Sequence, residues 1–219
     1  MPTMDLLSSS VGALPVNSRL HGTEPPSAWV QRWSHLVPAQ GVVLDVACGF
    51  GRHAHWFYKR KHNLVVIDRA RDAIESIAAA IPAHACEAVV ADIENAPWPL
   101  MGRQFDAVVV TNYLWRPLLP TLLNSLLLGG VLIYETFTQG NETVGKPSRP
   151  DFLLRPAELL AVCQDLRIVA FEDGFEEGTA ERTPRFIQRI AAVREPSSTT
   201  NLTEPSSPLA AAPLRYKIN

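Results

Sequence analysis

Apolar residues in this chain come in short runs, and several of those runs have no polar face. Residues 42–46 read Val-Val-Leu-Asp-Val, 64–67 read Leu-Val-Val-Ile and 107–110 read Ala-Val-Val-Val. A strand with one wet side alternates apolar and polar residues. These runs therefore predict strands covered on both faces, as in the parallel sheets of α/β proteins. Further runs at 87–90 and 131–136 extend the set. Helical patterns fall between them at 52–61 and 70–80, and strand and helix alternate as far as Cys163. The alternation predicts a doubly wound α/β sheet with helices on both sides.

The two ends of the chain differ from this middle. Residues 167–172 and 185–193 are strand-like runs joined by a segment rich in Gly and Glu, too short for a helical crossover, so they are expected to pair as a C-terminal antiparallel hairpin. A helix is expected near 27–36, with Trp29 and Trp33 sharing one face. Residues 1–22 read as a flexible lead, 23–194 as the folded domain, and 195–219, rich in Pro, Ser, Thr and Ala, as a flexible tail.

The chemistry gathers where strands end. After the first strand, Asp45 is followed by Ala47-Cys48-Gly49-Phe50-Gly51, a tight turn whose glycines let the backbone approach a ligand. Strand ends are where open α/β sheets hold ligands, which favours binding by Asp45 over simple helix capping. Asp68 closes the second strand beside Arg69, where a carboxylate can accept both hydroxyls of a ribose while also capping the next helix. Asp92 and Ile93 follow the third strand. Thr111 and Asn112 follow the fourth. Arg52 and His53 start the helix after Gly51, where a cation opposes the helix dipole, so a contact with an anion is the alternative to a plain surface role.

Residues 45–51 resemble motif I of the class I S-adenosylmethionine (SAM)-dependent methyltransferases, an acid followed by spaced glycines, with Ala47 in place of the first glycine. The set Gly49, Gly51 and Ala54 also fits the dinucleotide fingerprint. Asp45, close before Gly49, would repel a diphosphate and suits a cationic amino-acid moiety instead. Residues 108–117 and 128–137 resemble the fourth strand, helix and fifth strand of small-molecule methyltransferases of the tellurite-resistance-like group, as does the loop at 138–155. The resemblance spans about 27–194. It implies a Rossmann-like methyltransferase fold, a mostly parallel seven-stranded sheet ending in the antiparallel hairpin, with SAM as cofactor.

Tyr113 and Arg116 lie just past strand four and Glu135 near the end of strand five, the edge where a methyl acceptor is expected. Glu135 is the candidate general base and Arg116 the candidate anion binder, unless the two form a structural ion pair. Lys146, Arg149 and Arg155, on a long loop, are further cations that a lid could bring over the pocket.

Composition narrows the partners. The 219-residue chain carries a net charge of −2, which supplies no general attraction for nucleic acid or an anionic membrane. Its 47% hydrophobic content supports one sizeable core. Three cysteines without a CxxC pair indicate neither a disulfide framework nor a zinc site, and fit a cytoplasmic protein without metal. No signal peptide is read at the N-terminus. The uncharged stretch 117–134 is interrupted by Pro120, Asn124 and Gly129-Gly130, against a membrane span. The expected function is transfer of a methyl group to a small molecule, anionic in the sharper version. A nicotinamide-dependent oxidoreductase and a non-catalytic SAM-binding protein are the alternatives. The sequence does not set the oligomeric state.

Overall fold

A computed structural model describes residues 24–179, 182–196 and 215–218. The expected flexible lead and most of the expected tail lie outside the described residues.

Seven strands form one sheet in the order β3-β2-β1-β4-β5-β7-β6: β1 Val42–Val46, β2 Asn63–Asp68, β3 Cys86–Val90, β4 Phe105–Thr111, β5 Leu126–Phe137, β6 Arg167–Glu176 and β7 Arg185–Val193. β1 to β5 pair in parallel, and β7 runs antiparallel between β5 and β6. The hairpin is thus inserted with its second strand inward. Every strand expected from the sequence is present; β5 starts earlier and β6 runs further than expected.

Alternate residues of each strand supply two cores, which is why the runs lacked a polar face. Val43, Val66, Val109, Ile133 and Ala191 face one side. There they meet α1 (Ala28–Trp33), α2 (Arg52–Tyr58) and α3 (Arg71–Ala80) through Trp29, Trp33, Phe57 and Ile77. Leu44, Ile67, Val110, Leu132 and Ile190 face the other side, against α4 (Leu119–Asn124) and α5 (Glu158–Val162). The stretch 117–134 is the short helix α4, a turn at Ser125 and the start of β5. Among the described residues no helix is long and apolar enough to cross a membrane.

Two details set up the site. Gly51 adopts φ 75° as the residue preceding α2, and a Cβ there would fall 2.7 Å from Ile77, so only glycine lets the turn close onto α3. At the far end, Tyr216 packs against the α1 core and the Lys217 carbonyl lies 3.1 Å from His35 Nε2.

Candidate active site

The carboxyl ends of β1, β2, β3, β4 and β5 surround a cavity of about 1030 Å³. Its floor is the turn after β1, where Ala47 (φ 51°) and Gly49 (φ 53°) both adopt left-handed backbone. Asp68 fastens this turn. Its Oδ2 accepts the Gly49 N–H at 2.8 Å and its Oδ1 accepts the Ala70 N–H at 2.9 Å. One carboxylate therefore joins the ends of β1 and β2 and still lines the cavity.

Asp45 stands behind this floor and is not among the lining residues. It is 1% exposed, and its Oδ2 has no hydrogen-bond partner. Burial pushes its pKa up to about 7, against the pull of Arg52 and the Ala54 backbone. Gly51 likewise shapes the turn without lining the cavity.

Arg52 reaches the cavity wall from the first turn of α2. Its contacts are long: 3.4 Å to the Pro25 carbonyl, 3.4 Å to Thr111 Oγ1 and 3.9 Å to the Glu24 carboxylate. With its side chain only 14% exposed, the guanidinium is largely out of water yet has no short partner among the described residues. Burial lowers its pKa, opposed by Glu24, Glu135 and Asp45.

His53 is a buried structural residue. Its Nε2 accepts the Ser27 N–H at 3.1 Å, so the proton sits on Nδ1, which faces Thr111 Oγ1 at 3.5 Å. Burial, then Arg52, pushes its pKa down to about 3, and the ring is neutral. Ser27 also caps α1 by accepting from Trp29 and Val30, and donates to Glu135 at 3.0 Å.

The wall beyond β3 holds Asp92 and Ile93. Asp92 accepts from the Glu94 and Asn95 N–H groups and from the Asn95 amide, and these bonds, the Asn95 side chain first, hold its pKa low. It is thus a turn-forming acid. Glu94 joins the wall and stands beside Tyr113. Burial, then Glu94, pushes the Tyr113 pKa up, so this phenol stays neutral and serves as a wall.

Two expected site residues are elsewhere. Glu135 is 2% exposed on the α1 face of β5, bonded to Ser27 and Arg189 (3.2 Å), with Arg185 at 3.8 Å. It joins α1, β5 and β7 and does not line the cavity, so it is not positioned as a general base. The strand pleat is the reason: its neighbour Thr136 points the other way, into the cavity, which Phe137 joins from the strand's end. Arg116 is taken up by Glu158, with which it makes two bonds of 2.7 and 2.9 Å, and by the Asp151 and Leu153 carbonyls. Neither an ion pair with Glu135 nor a free anion site results. Its partner comes from α5, 42 residues away, which no local pattern reveals.

Of the expected residues, Ala47, Cys48, Gly49, Arg52, Asp68, Arg69, Asp92, Ile93, Thr111, Asn112 and Tyr113 line the cavity, joined by Lys146 and Arg149 from the loop after β5. Arg155 is not among them; its backbone N–H binds Glu158. That loop is a wall: Asn141, 1% exposed, donates to the Pro147 carbonyl at 3.0 Å and accepts the Phe186 N–H at 3.1 Å. Of the other lining residues, Leu114, Thr136, Pro147, Ser148 and Phe152 fall within the segments 108–117, 128–137 and 138–155 that carry the resemblance, while Glu94 was not singled out from sequence.

Residues 43–127 match the family model of a methyltransferase domain. No curated protein matches the chain in sequence. Among solved structures it is similar to TehB from Haemophilus influenzae, with 17% identity and a TM-score of 0.61 over 74% of this chain and 60% of that one. The chain thus spans under two thirds of that protein. It is also similar to a TehB-like SAM-dependent methyltransferase from Corynebacterium glutamicum, with 16% identity and a TM-score of 0.55 over 76% and 87% of the two chains. An S-adenosylmethionine-dependent methyltransferase from Mesorhizobium loti has 15% identity and a TM-score of 0.59 over 77% and 99%.

Proposed function

We propose that this chain, residues 43–127 of which match a methyltransferase-domain model, is a class I methyltransferase that transfers the methyl group of SAM to a small-molecule acceptor in the cavity at the strand ends. The observation that carries this reading is the charge pattern around the cavity floor. Asp68 lines the cavity with a carboxylate that can accept ribose hydroxyls, and Arg52 is a half-buried guanidinium whose contacts among the described residues are all 3.4 Å or longer. A ligand with a ribose and a carboxylate fits that pair.

When bound, SAM supplies a methyl group activated by a sulfonium. The protein then has to bind, align and exclude water. Asp68 holds the ribose, Asp92 and Ile93 flank the adenine, and Arg52 pairs with the methionine carboxylate. The acceptor lies between the ends of β4 and β5. Among the described residues, carboxylates of the cavity wall are Asp68, Asp92 and Glu94, all from the β2 and β3 ends, and no histidine lines it. An acceptor atom that carries its lone pair without help from a protein base, such as a thiolate, a carboxylate or an acidic hydroxyl, suits this wall. Lys146 favours an anionic acceptor. The three cysteines are all free and buried, in keeping with a reducing cytoplasm.

Calorimetry with SAM, S-adenosylhomocysteine, 5′-methylthioadenosine and NAD tests the reading. The first two are expected to bind and NAD is not. Arg52→Met is expected to weaken S-adenosylhomocysteine by about tenfold or more, as for loss of a charge-assisted bond. It should leave methylthioadenosine, which lacks the carboxylate, unchanged. Equal weakening of both ligands removes Arg52 from the carboxylate, and tight NAD binding overturns the cofactor.

A further inference from the structure

The part of the cavity at the ends of β4 and β5 is lined by rings and apolar groups, with a cation on the loop beyond. Tyr113 and Leu114 follow β4, Phe137 ends β5, and Phe152 comes from the loop beyond. Leu114 is buried and Phe152 is 38% exposed. Lys146, exposed on the same loop, has no ion-pair partner among the described residues, whereas Arg149 is paired with Asp151 at 2.8 Å. The Asn141 bond to the Pro147 carbonyl fixes the residue next to Lys146, so this cation has a defined base. The cavity, at about 1030 Å³, lies at the upper end of the roughly 300–1,000 Å³ that serves one drug-sized ligand. It has room for a cofactor and a ring beside it.

We infer that the acceptor is an organic anion with a flat apolar body, its ring held among Tyr113, Leu114, Phe137 and Phe152 and its charge directed outward to Lys146. The inference rests on the methyltransferase reading and narrows its substrate class. A bare inorganic oxyanion would leave the rings in contact with nothing they can bind, because their gain comes from apolar surface removed from water. A neutral hydrophobe would leave Lys146 without a role. An exposed lysine at the rim suits a ligand whose charged group remains partly hydrated.

Four probes separate the elements: thiosalicylate (ring and anion), thiophenol (ring alone), mercaptoacetate (anion alone) and selenite (inorganic oxyanion). In the thiol reactions the thiolate sulfur, its proton already lost to solvent, forms the new bond to the methyl carbon. The bond from methyl to sulfonium breaks, its electron pair stays on that sulfur, and S-adenosylhomocysteine leaves. Two measurements are made on the full chain: KM, and calorimetric binding of each probe to protein saturated with S-adenosylhomocysteine. Thiosalicylate is expected to bind best. Lys146→Met should weaken thiosalicylate and mercaptoacetate about three- to fivefold and spare thiophenol. Phe152→Ala should weaken thiosalicylate and thiophenol about tenfold and spare mercaptoacetate. Selenite binding better than thiosalicylate, equal losses for all probes in both variants, or no binding of either aromatic thiol overturns the inference. If S-adenosylhomocysteine itself does not bind, the methyltransferase reading fails, and this inference with it.

Discussion

Asp68 and Gly49 are joined directly: the carboxylate at the end of β2 accepts, at 2.8 Å, the backbone N–H of the turn that follows β1. The same carboxylate accepts the Ala70 N–H at 2.9 Å. The residue proposed to hold a ribose thus also fastens the turn that floors the cavity, and the two roles would share one side chain.

Removing that carboxylate should therefore damage binding and stability together. Asp68→Ala loses bonds to a charged acceptor, each worth roughly 1.5–3 kcal/mol. The dissociation constant for S-adenosylhomocysteine should rise at least about tenfold and the melting temperature fall by several degrees. Asp68→Asn, which keeps one acceptor oxygen, should recover part of both. Calorimetry and thermal denaturation on the same samples check it. A folded Ala variant with wild-type affinity removes Asp68 from the ribose.

Ala47 occupies a left-handed backbone conformation, φ 51°, that L-residues adopt at a cost. Glycine is free of that penalty but gains entropy in the unfolded chain. The strain outweighs that entropy, so Ala47→Gly should stabilise the protein by about 0.5–1 kcal/mol. Urea unfolding measures it. A destabilised variant would mean that the Ala47 methyl is held by packing worth more than the strain.

Asp45 gives a pH dependence with a definite sign. Its folded pKa is raised from 3.8 to about 7, so between those values the folded protein keeps a proton that the unfolded chain has lost. This contribution is whole below pH 3.8 and is lost as the pH rises through about 7. His53 acts oppositely: its pKa falls from 6.5 to about 3, so its contribution is present above pH 6.5 and is lost as the pH falls through about 3. Asp45→Asn removes only the first effect. The variant should match wild type near pH 4 and become relatively more stable toward pH 8. Melting temperatures across that range decide, and a constant offset would exclude a titrating buried Asp45.

The end of the chain has an apolar contact that its composition did not advertise. Tyr216 packs against the α1 core, with His35 Nε2 3.1 Å from the Lys217 carbonyl. Deleting residues after Arg194 should lower the melting temperature by about 2–4 °C, the shift expected for roughly 1 kcal/mol in a domain of this size. An unchanged melting temperature would show that this contact contributes nothing in solution.

The sequence alone determined the elements and most of the residues at the cavity floor. Burial on both faces needs apolar residues at every strand position, and that requirement is written directly into 42–46, 64–67 and 107–110. Asp68 ends its strand and Asp92 follows its own, so their places at the sheet's edge come with the strands themselves. What the sequence left open was orientation and partnership. Glu135 and Thr136 are neighbours, yet the pleat sends one into the ion pairs beneath α1 and the other into the cavity. Arg116 looked free until α5 brought Glu158 within 2.7 Å. The acceptor end combines β4, β5 and a loop pinned by Asn141, and no segment of the chain contains more than part of it. Only tertiary structure could decide these points, because side-chain direction and long-range pairing depend on which surfaces meet, and local composition does not encode that.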